Sequence, residues 1–214
     1  MLYALVRFYF KERGFYMETT DKYHHGDLRE SLIKMGLKLY NEEGAEKFSI
    51  RKVAALCNVS HAAPYKHFKS KEELINAMSE YVFSNFESSL NEIVEKYKST
   101  PYKRIIELGK KYVWFMVENP DYLKFAFLQN SEYEIIVEEN KLESVEYGAF
   151  NVFKNCAVDL LQSINVEEEE YAQDIIAMWS MVHGLATMLS NKTFMYKGDY
   201  LQLVENILRK NLKF

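Results

Sequence analysis

Eight glycines and three prolines are the only strong backbone punctuation in this 214-residue chain. A sequence so poor in turn formers cannot connect many short strands; it favours a few long helices. The apolar residues agree. Leu28, Leu32, Met35 and Leu39 fall on one helical face, and Leu74, Met78, Val82 and Phe86 fall on another. The chain therefore reads as all-α, with about nine helices: an N-terminal three-helix helix-turn-helix domain and a C-terminal helical bundle.

Capping residues and breakers set the expected boundaries. The first helix runs from about Gly26 or Asp27 to Glu43 and stops at Gly44. Ser49 sits as N-cap of a short second helix, Ile50 to Cys57, with its side-chain oxygen free to satisfy backbone N–H groups. Asn58 and Val59 make a tight turn, and Ser60 opens a third helix, His61 to His67. Ser70 with Glu73 forms a capping box for a long fourth helix ending near Tyr97. Further helices are expected over about Tyr102–Glu118, Asp121–Gln129, Val137–Gln162, Glu167–Asn191 and Tyr200–Leu212. Tyr133–Val137 is the one weak strand candidate.

The first 21 residues read as a leader or N-terminal arm, ahead of a helix-turn-helix domain over residues 22–70 and a helical domain over 71–214. Lys11-Glu12-Arg13-Gly14 can be encoded by a purine-rich stretch resembling a ribosome-binding site a few codons before Met17. Residues 1–16 then lie upstream of the working protein; a short N-terminal extension is the alternative. No run of about 20 apolar residues offers a membrane span, and no signal peptide is evident. The two cysteines, Cys57 and Cys156, stand far apart and read as buried thiols of a reducing, cytoplasmic compartment.

The net charge of −4 hides an asymmetry. Lys22 to Glu72 holds ten Lys or Arg against six Asp or Glu; the remainder to Phe214 holds 14 against 22. Four of the five histidines, His24, His25, His61 and His67, also lie in the basic head. A basic head on an acidic body suits a chain whose head approaches phosphates. No nucleophile elbow, phosphate loop or metal-ligand spacing occurs, so neither an enzyme, a cofactor nor a metal site is expected.

The segments Ser49-Ile50-Arg51-Lys52-Val53-Ala54, Asn58-Val59-Ser60, Tyr65-Lys66-His67-Phe68 and Lys71-Glu72-Glu73-Leu74 resemble the DNA-binding signature of the TetR/AcrR family of bacterial regulators. Tyr23-His24-His25-Gly26-Asp27-Leu28-Arg29 and Trp179-Ser180-Met181-Val182-His183-Gly184 resemble one subgroup, named for a Trp-His-Gly signature. Asn58 stands where the family usually has Gly, and Pro64 falls early in the recognition helix. Both can alter the angle of that helix and so the operator it reads.

The resemblance implies a homodimeric transcriptional regulator, by family default a repressor, released from a palindromic operator by a small effector. On that pattern His61, Ala62 and Ala63 face double-stranded DNA at base edges, with Ser60 at the DNA-facing start of the recognition helix. Tyr65, Lys66 and His67 reach phosphate or groove wall, Ser49 and Arg51 contact the backbone, and Lys71 holds phosphate at a helix start. Lys22, Tyr23 and His24 reach the minor groove or backbone. In the body, Trp114, Phe115, Phe125, Met178, Trp179 and His183 are candidates to line a site for a largely apolar effector. Ala177, Ser180, Gly184, Thr187, Leu201, Val204 and Leu208 are candidates for a dimer interface between the last two helices. A helical sequestering protein that reads no DNA sequence remains an alternative, as does a helical enzyme built on His183.

Overall fold

The computed structural model describes residues 28–129, 135–138, 141–142 and 148–212. The leader, Lys22, Tyr23 and His24 lie outside the described residues. Eight α-helices dominate: α1 (Leu28–Lys47), α2 (Ile50–Leu56), α3 (Lys71–Lys96), α4 (Pro101–Glu118), α5 (Pro120–Leu123), α6 (Gly148–Ser163), α7 (Tyr171–Ser190) and α8 (Tyr200–Asn211).

Local chemistry explains the ends. Gly44 breaks α1 with φ 78°, a left-handed value natural to glycine. Ser70 accepts from Glu73 N–H at 3.2 Å, while the Glu73 carboxylate accepts from Lys69 N–H at 2.6 Å, so the capping box is closed one residue upstream. Pro101 and Pro120 each start a helix, where a missing N–H leaves no bond unmade. Asp199 caps α8 by accepting from Leu201 and Gln202 N–H at 2.9 and 3.2 Å.

Four expectations need correction. The segment expected as helix His61–His67 is a 3₁₀ turn over Pro64–Lys66. Pro64 cannot donate to Ser60 O, and the neighbouring bonds close over three residues, Ala63 N–H to Ser60 O and Lys66 N–H to Ala63 O. Ser49 occupies the N-cap of α2 in extended conformation but makes no side-chain capping bond. The helix expected from Val137 begins at Gly148. Ahead of it, Val137–Glu138 pairs antiparallel with Lys141–Leu142, consistent with the β-branched run Ile135-Ile136-Val137. The span expected as one helix over Asp121–Gln129 divides into α5 and a π-helical turn, Lys124–Gln129.

α4 is the centre of the body, packed on α3, α6, α7 and α8. A methyl at Gly109 would lie 2.8 Å from Leu208 Cδ1 and 3.1 Å from Val182 Cγ1, so glycine lets α7 and α8 close on α4 together. Lys110 ties α4 to α8 through Glu205 at 2.6 Å. The apolar core runs without a break from Leu32 and Leu37 of α1 through Phe86, Tyr112 and Phe150 to Leu208. Among the described residues no helix is long and apolar enough to cross a membrane. Cys57 and Cys156 are both buried thiols, and burial pushes the Cys57 thiol up to about 11, away from thiolate chemistry.

Candidate nucleic-acid interface and effector core

The head builds its outward face by burying the residues beneath it. Val53 and Ala54 of α2 are sealed in the core, and Val59 N–H bonds back to Ala54 O at 3.0 Å. Asn58 takes φ 55°, the left-handed turn residue between α2 and the recognition segment. Pro64 and Phe68 are buried and anchor that segment. Ser60, His61, Ala62, Tyr65 and Lys66 are left exposed, and Tyr65 keeps 48% of its surface. Ala63 and His67 are half-buried. Arg51 is exposed on α2, while Ser49 is half-buried.

Three side chains depart from the simple phosphate-contact picture. Lys71 Nζ donates to Ala45 O at 2.6 Å and lies 5.8 Å from the Phe48 ring centroid, so it ties α3 to the end of α1. Lys52, beside Arg51, is paired with Glu43 at 2.5 Å. Arg29 stands over Phe68 at 5.3 Å, a contact that the sequence pattern did not single out.

The body collects aromatic rings around Tyr112. Its ring meets Phe86 at 5.0 Å and Trp179 at 4.9 Å, both edge to face. Trp179 also meets Phe150 and Phe153 at 5.1 Å each. Phe115 stacks on Phe86, and Met178 is buried. Tyr112 Oη lies 2.9 Å from His183 Nδ1, and Phe127 stands 4.9 Å from the His183 ring. Burial pushes the His183 pKa down and the Tyr112 pKa up, so both remain neutral. Tyr112 was not among the expected site residues; it falls on the apolar face of α4 with Leu108, Phe115 and Met116, where its spacing marks it only as core.

Two expected effector residues lie apart from this cluster. Trp114 points outward from α4, 37% exposed, with Lys111 Nζ 4.4 Å above its ring. Phe125 is wholly buried but packs on Tyr40 of α1, at 5.2 Å, in the seam between head and body. The expected interface residues also divide. Val204 and Leu208 are buried within the protomer, facing the core rather than a partner. Leu201 is half-buried. Ala177 and Ser180 are exposed, and Gly184 has open space where a Cβ would stand. Ile176 and Met188, 37% and 40% exposed, extend this strip along α7. Thr187 is half-buried beside it, and its Oγ1 is sealed from solvent without a hydrogen-bond partner.

A short exposed segment held by buried anchors after a tight turn, mounted on a helical body, is the arrangement of a helix-turn-helix domain. Residues 32–78 match the family model of bacterial regulatory proteins, tetR family, and residues 105–210 match that of the tetracyclin repressor-like C-terminal domain. The chain belongs to the TetR family of transcriptional regulators. It is similar to the HTH-type transcriptional regulator YerO of Bacillus subtilis, 26% identical over 156 residues and 70% of this chain. The chain spans about half the length of the curated relatives it matches, 51% in that case. Its fold resembles the transcriptional regulator FadR of Bacillus subtilis, solved with stearoyl-CoA, at TM-score 0.60 and 14% identity, covering 84% of this chain and 95% of that one. It also resembles AibR, solved with isovaleryl coenzyme A and operator DNA, at TM-score 0.61 and 15% identity over the same shares, 84% and 95%.

Proposed function

We propose that this protein is a cytoplasmic, homodimeric repressor, released from a palindromic operator by a small, largely apolar effector held in the body. The observation that carries the DNA-binding half is the exposed row His61, Ala62, Tyr65 and Lys66 above buried Pro64 and Phe68. Short side chains and an imidazole can approach base edges, while Tyr65, Lys66 and Arg51 reach the backbone. Lys22, Tyr23 and His24 are assigned to the same interface. One such segment reads few bases, so two related by a twofold axis are required. The exposed small-residue strip of α7 supports a pairing through Ala177, Ser180, Gly184 and Thr187. Residues 22–70 act as the DNA head, and 71–214 as the effector and dimerisation body.

Phe115, Met178, Trp179 and His183 are the residues to which we assign effector contact. The acyl-CoA ligands of FadR and AibR make acyl compounds the first to try. The chain has no catalytic role in this reading. The test is salt-dependent binding to the DNA upstream of its own gene, against a scrambled duplex. Preference for the native fragment that His61→Ala, at a base-edge position, reduces supports the reading. A genome-wide selection that returns no bound motif overturns it and leaves a sequestering protein.

A further inference from the structure

The end of the body farthest from the DNA head carries charge that finds no partner within the protomer. From Lys71 to Lys96, α3 takes the chain about 40 Å away from the head, at about 1.5 Å per residue. At that end stand the turn into α4, the C-terminus of α8 and the turn from α6 to α7. Buried Arg104 ties the first of these to the last: its Nη1 donates to Lys98 O at 3.0 Å, and its Nη2 pairs with Asp159 of α6 at 2.5 Å. Arg209 lies 5.9 Å over the Tyr102 ring, which sets the last turn of α8 beside the start of α4. Lys96, Lys98, Lys103 and Lys210 are exposed there. Lys96 and Lys103 both stand over the Tyr97 ring, at 5.4 and 4.9 Å. None of the four lysines has a carboxylate within ion-pair distance among the described residues, and Glu95 beside Lys96 leaves their balance positive. Across Arg104, Glu167, Glu168, Glu169 and Glu170 fill the turn into α7, all exposed and, among the described residues, equally without a paired cation. Like charges side by side repel, and the opposite set that would relieve each of them lies on the same end but out of reach within one chain.

We propose that this end of the body is a self-complementary docking surface for a second copy of this chain, the lysine half of each copy meeting the glutamate half of the other across a twofold axis. Such an axis makes both contacts at once, because residue i meets j and j meets i. Tyr102, 39% exposed under Arg209, gives the basic half an aromatic and guanidinium pair, the residue types that anchor interfaces. A polyanion such as nucleic acid would be met by the lysines and repelled by the four glutamates beside them, and a peptide of one sign would satisfy only one half. A second copy satisfies both. The contact is electrostatic in origin and therefore sensitive to salt. Pairing here leaves the heads free, so two operator-bound molecules are held end to end; that consequence rests on the operator reading above, and the pairing itself does not.

The test is the weight-average mass of the full chain by sedimentation at about 0.01 M and about 1 M salt, where the screening length is about 30 Å and about 3 Å. The mass at low salt is about twice that at high salt or more, as one further pairing per molecule requires. Two charge reversals follow: Lys96→Glu with Lys98→Glu and Lys103→Glu, and Glu167→Lys with Glu168→Lys, Glu169→Lys and Glu170→Lys. Both change exposed side chains only, so helicity is retained. Each variant alone keeps its high-salt mass at low salt. Mixed one to one they associate again at low salt, because the end of one is now acidic throughout and that of the other basic throughout. A wild type with one mass at both salts overturns the proposal. So does association that survives either reversal, or a mixture that stays apart. Pairing through α7 is read at high salt and is touched by neither variant, so loss of the end-to-end contact leaves that assignment standing.

Discussion

Asn41 Nδ2, near the foot of the first head helix, donates to the main-chain oxygen of Asp121 at 2.8 Å. The bond crosses the seam between head and body, and it is reinforced. Lys124 Nζ donates to Asn41 O, and Phe125 packs edge-on against Tyr40 at 5.2 Å. Two residues later, Phe127 touches His183 at 4.9 Å. One π-helical turn, Lys124–Gln129, thus carries the head on one side and the His183 end of the body's aromatic cluster on the other. A displacement at His183 has a packed route to α1.

Asn41→Ala is accordingly expected to weaken coupling more than either binding event. Losing a buried hydrogen bond costs about 1–2 kcal/mol of stability. Operator affinity without effector stays within a few-fold, while the effector-driven loss of affinity shrinks from its full range of about 1–3 kcal/mol. Operator titrations with and without effector, for both proteins, measure the difference. Undiminished release in the variant removes Asn41 from the route.

His183 sets a pH dependence whose sign follows from burial. Its folded pKa lies below the ordinary value of 6.5 because the charged ring would be desolvated. Below that value the unfolded chain binds a proton that the folded chain refuses, so stability is full above pH 6.5 and falls as the solution is acidified. The melting temperature of the wild type should therefore drop between pH 7.5 and pH 5.5, and His183→Phe should drop less, about in proportion to one lost titration. Equal slopes would show that His183 titrates as freely folded as unfolded.

Tyr65→Ala and Arg51→Ala remove exposed side chains from the head without opening the core, so the melting temperature should move little. Arg51→Ala is expected to weaken operator and scrambled DNA alike and lower the salt slope by about one. Tyr65→Ala should cost about 1–3 kcal/mol on the operator. Lys71 behaves differently. Its ammonium is spent on Ala45 O, so Lys71→Met lowers stability as well as affinity. Unchanged melting for Lys71→Met would return that lysine to a purely phosphate-binding role.

Which parts of this were legible in the sequence follows from how local the cause is. Gly44, Ser70, Pro101 and Asp199 act within a turn of themselves, and helix boundaries near them are readable from residue type. Asn58 is likewise readable as a left-handed turn. Pro64 was visible too, but its effect depends on which neighbouring bonds survive, and the outcome is a 3₁₀ turn. Side-chain direction on apolar helices was not legible. Leu201, Val204 and Leu208 form one apolar face of α8, but whether that face meets α4 or a second subunit depends on tertiary packing, and Gly109 makes the room that turns Val204 and Leu208 inward. Trp114 and Tyr112 sit two residues apart on α4 and face opposite environments, and here the helical period does carry the difference: Tyr112 shares a face with Leu108 and Met116, Trp114 with Lys110 and Glu118. The Tyr112–His183 bond joins positions 71 apart and belongs to packing alone.

The α7 strip yields the sharpest test of assembly. A Cβ at Gly184 would meet nothing within 4 Å inside the protomer, and Ala177, Ser180, Ile176 and Met188 around it face outward. In an isolated protomer, Gly184→Leu should be neutral or stabilising, since glycine in a helix interior is about 1 kcal/mol less favourable than alanine. In a dimer that closes over this strip, a leucine would wedge two helices apart at the point where small residues let them approach. Overpacking of that kind costs about 1–3 kcal/mol, and a twofold interface counts it twice. Sedimentation should therefore show the variant dissociating at concentrations where the wild type stays paired, with helicity retained. Operator affinity should fall with dimer population, because a single head reads only half a palindrome. A variant that remains dimeric and binds operator normally would place the interface elsewhere on the body and leave this strip as ordinary surface.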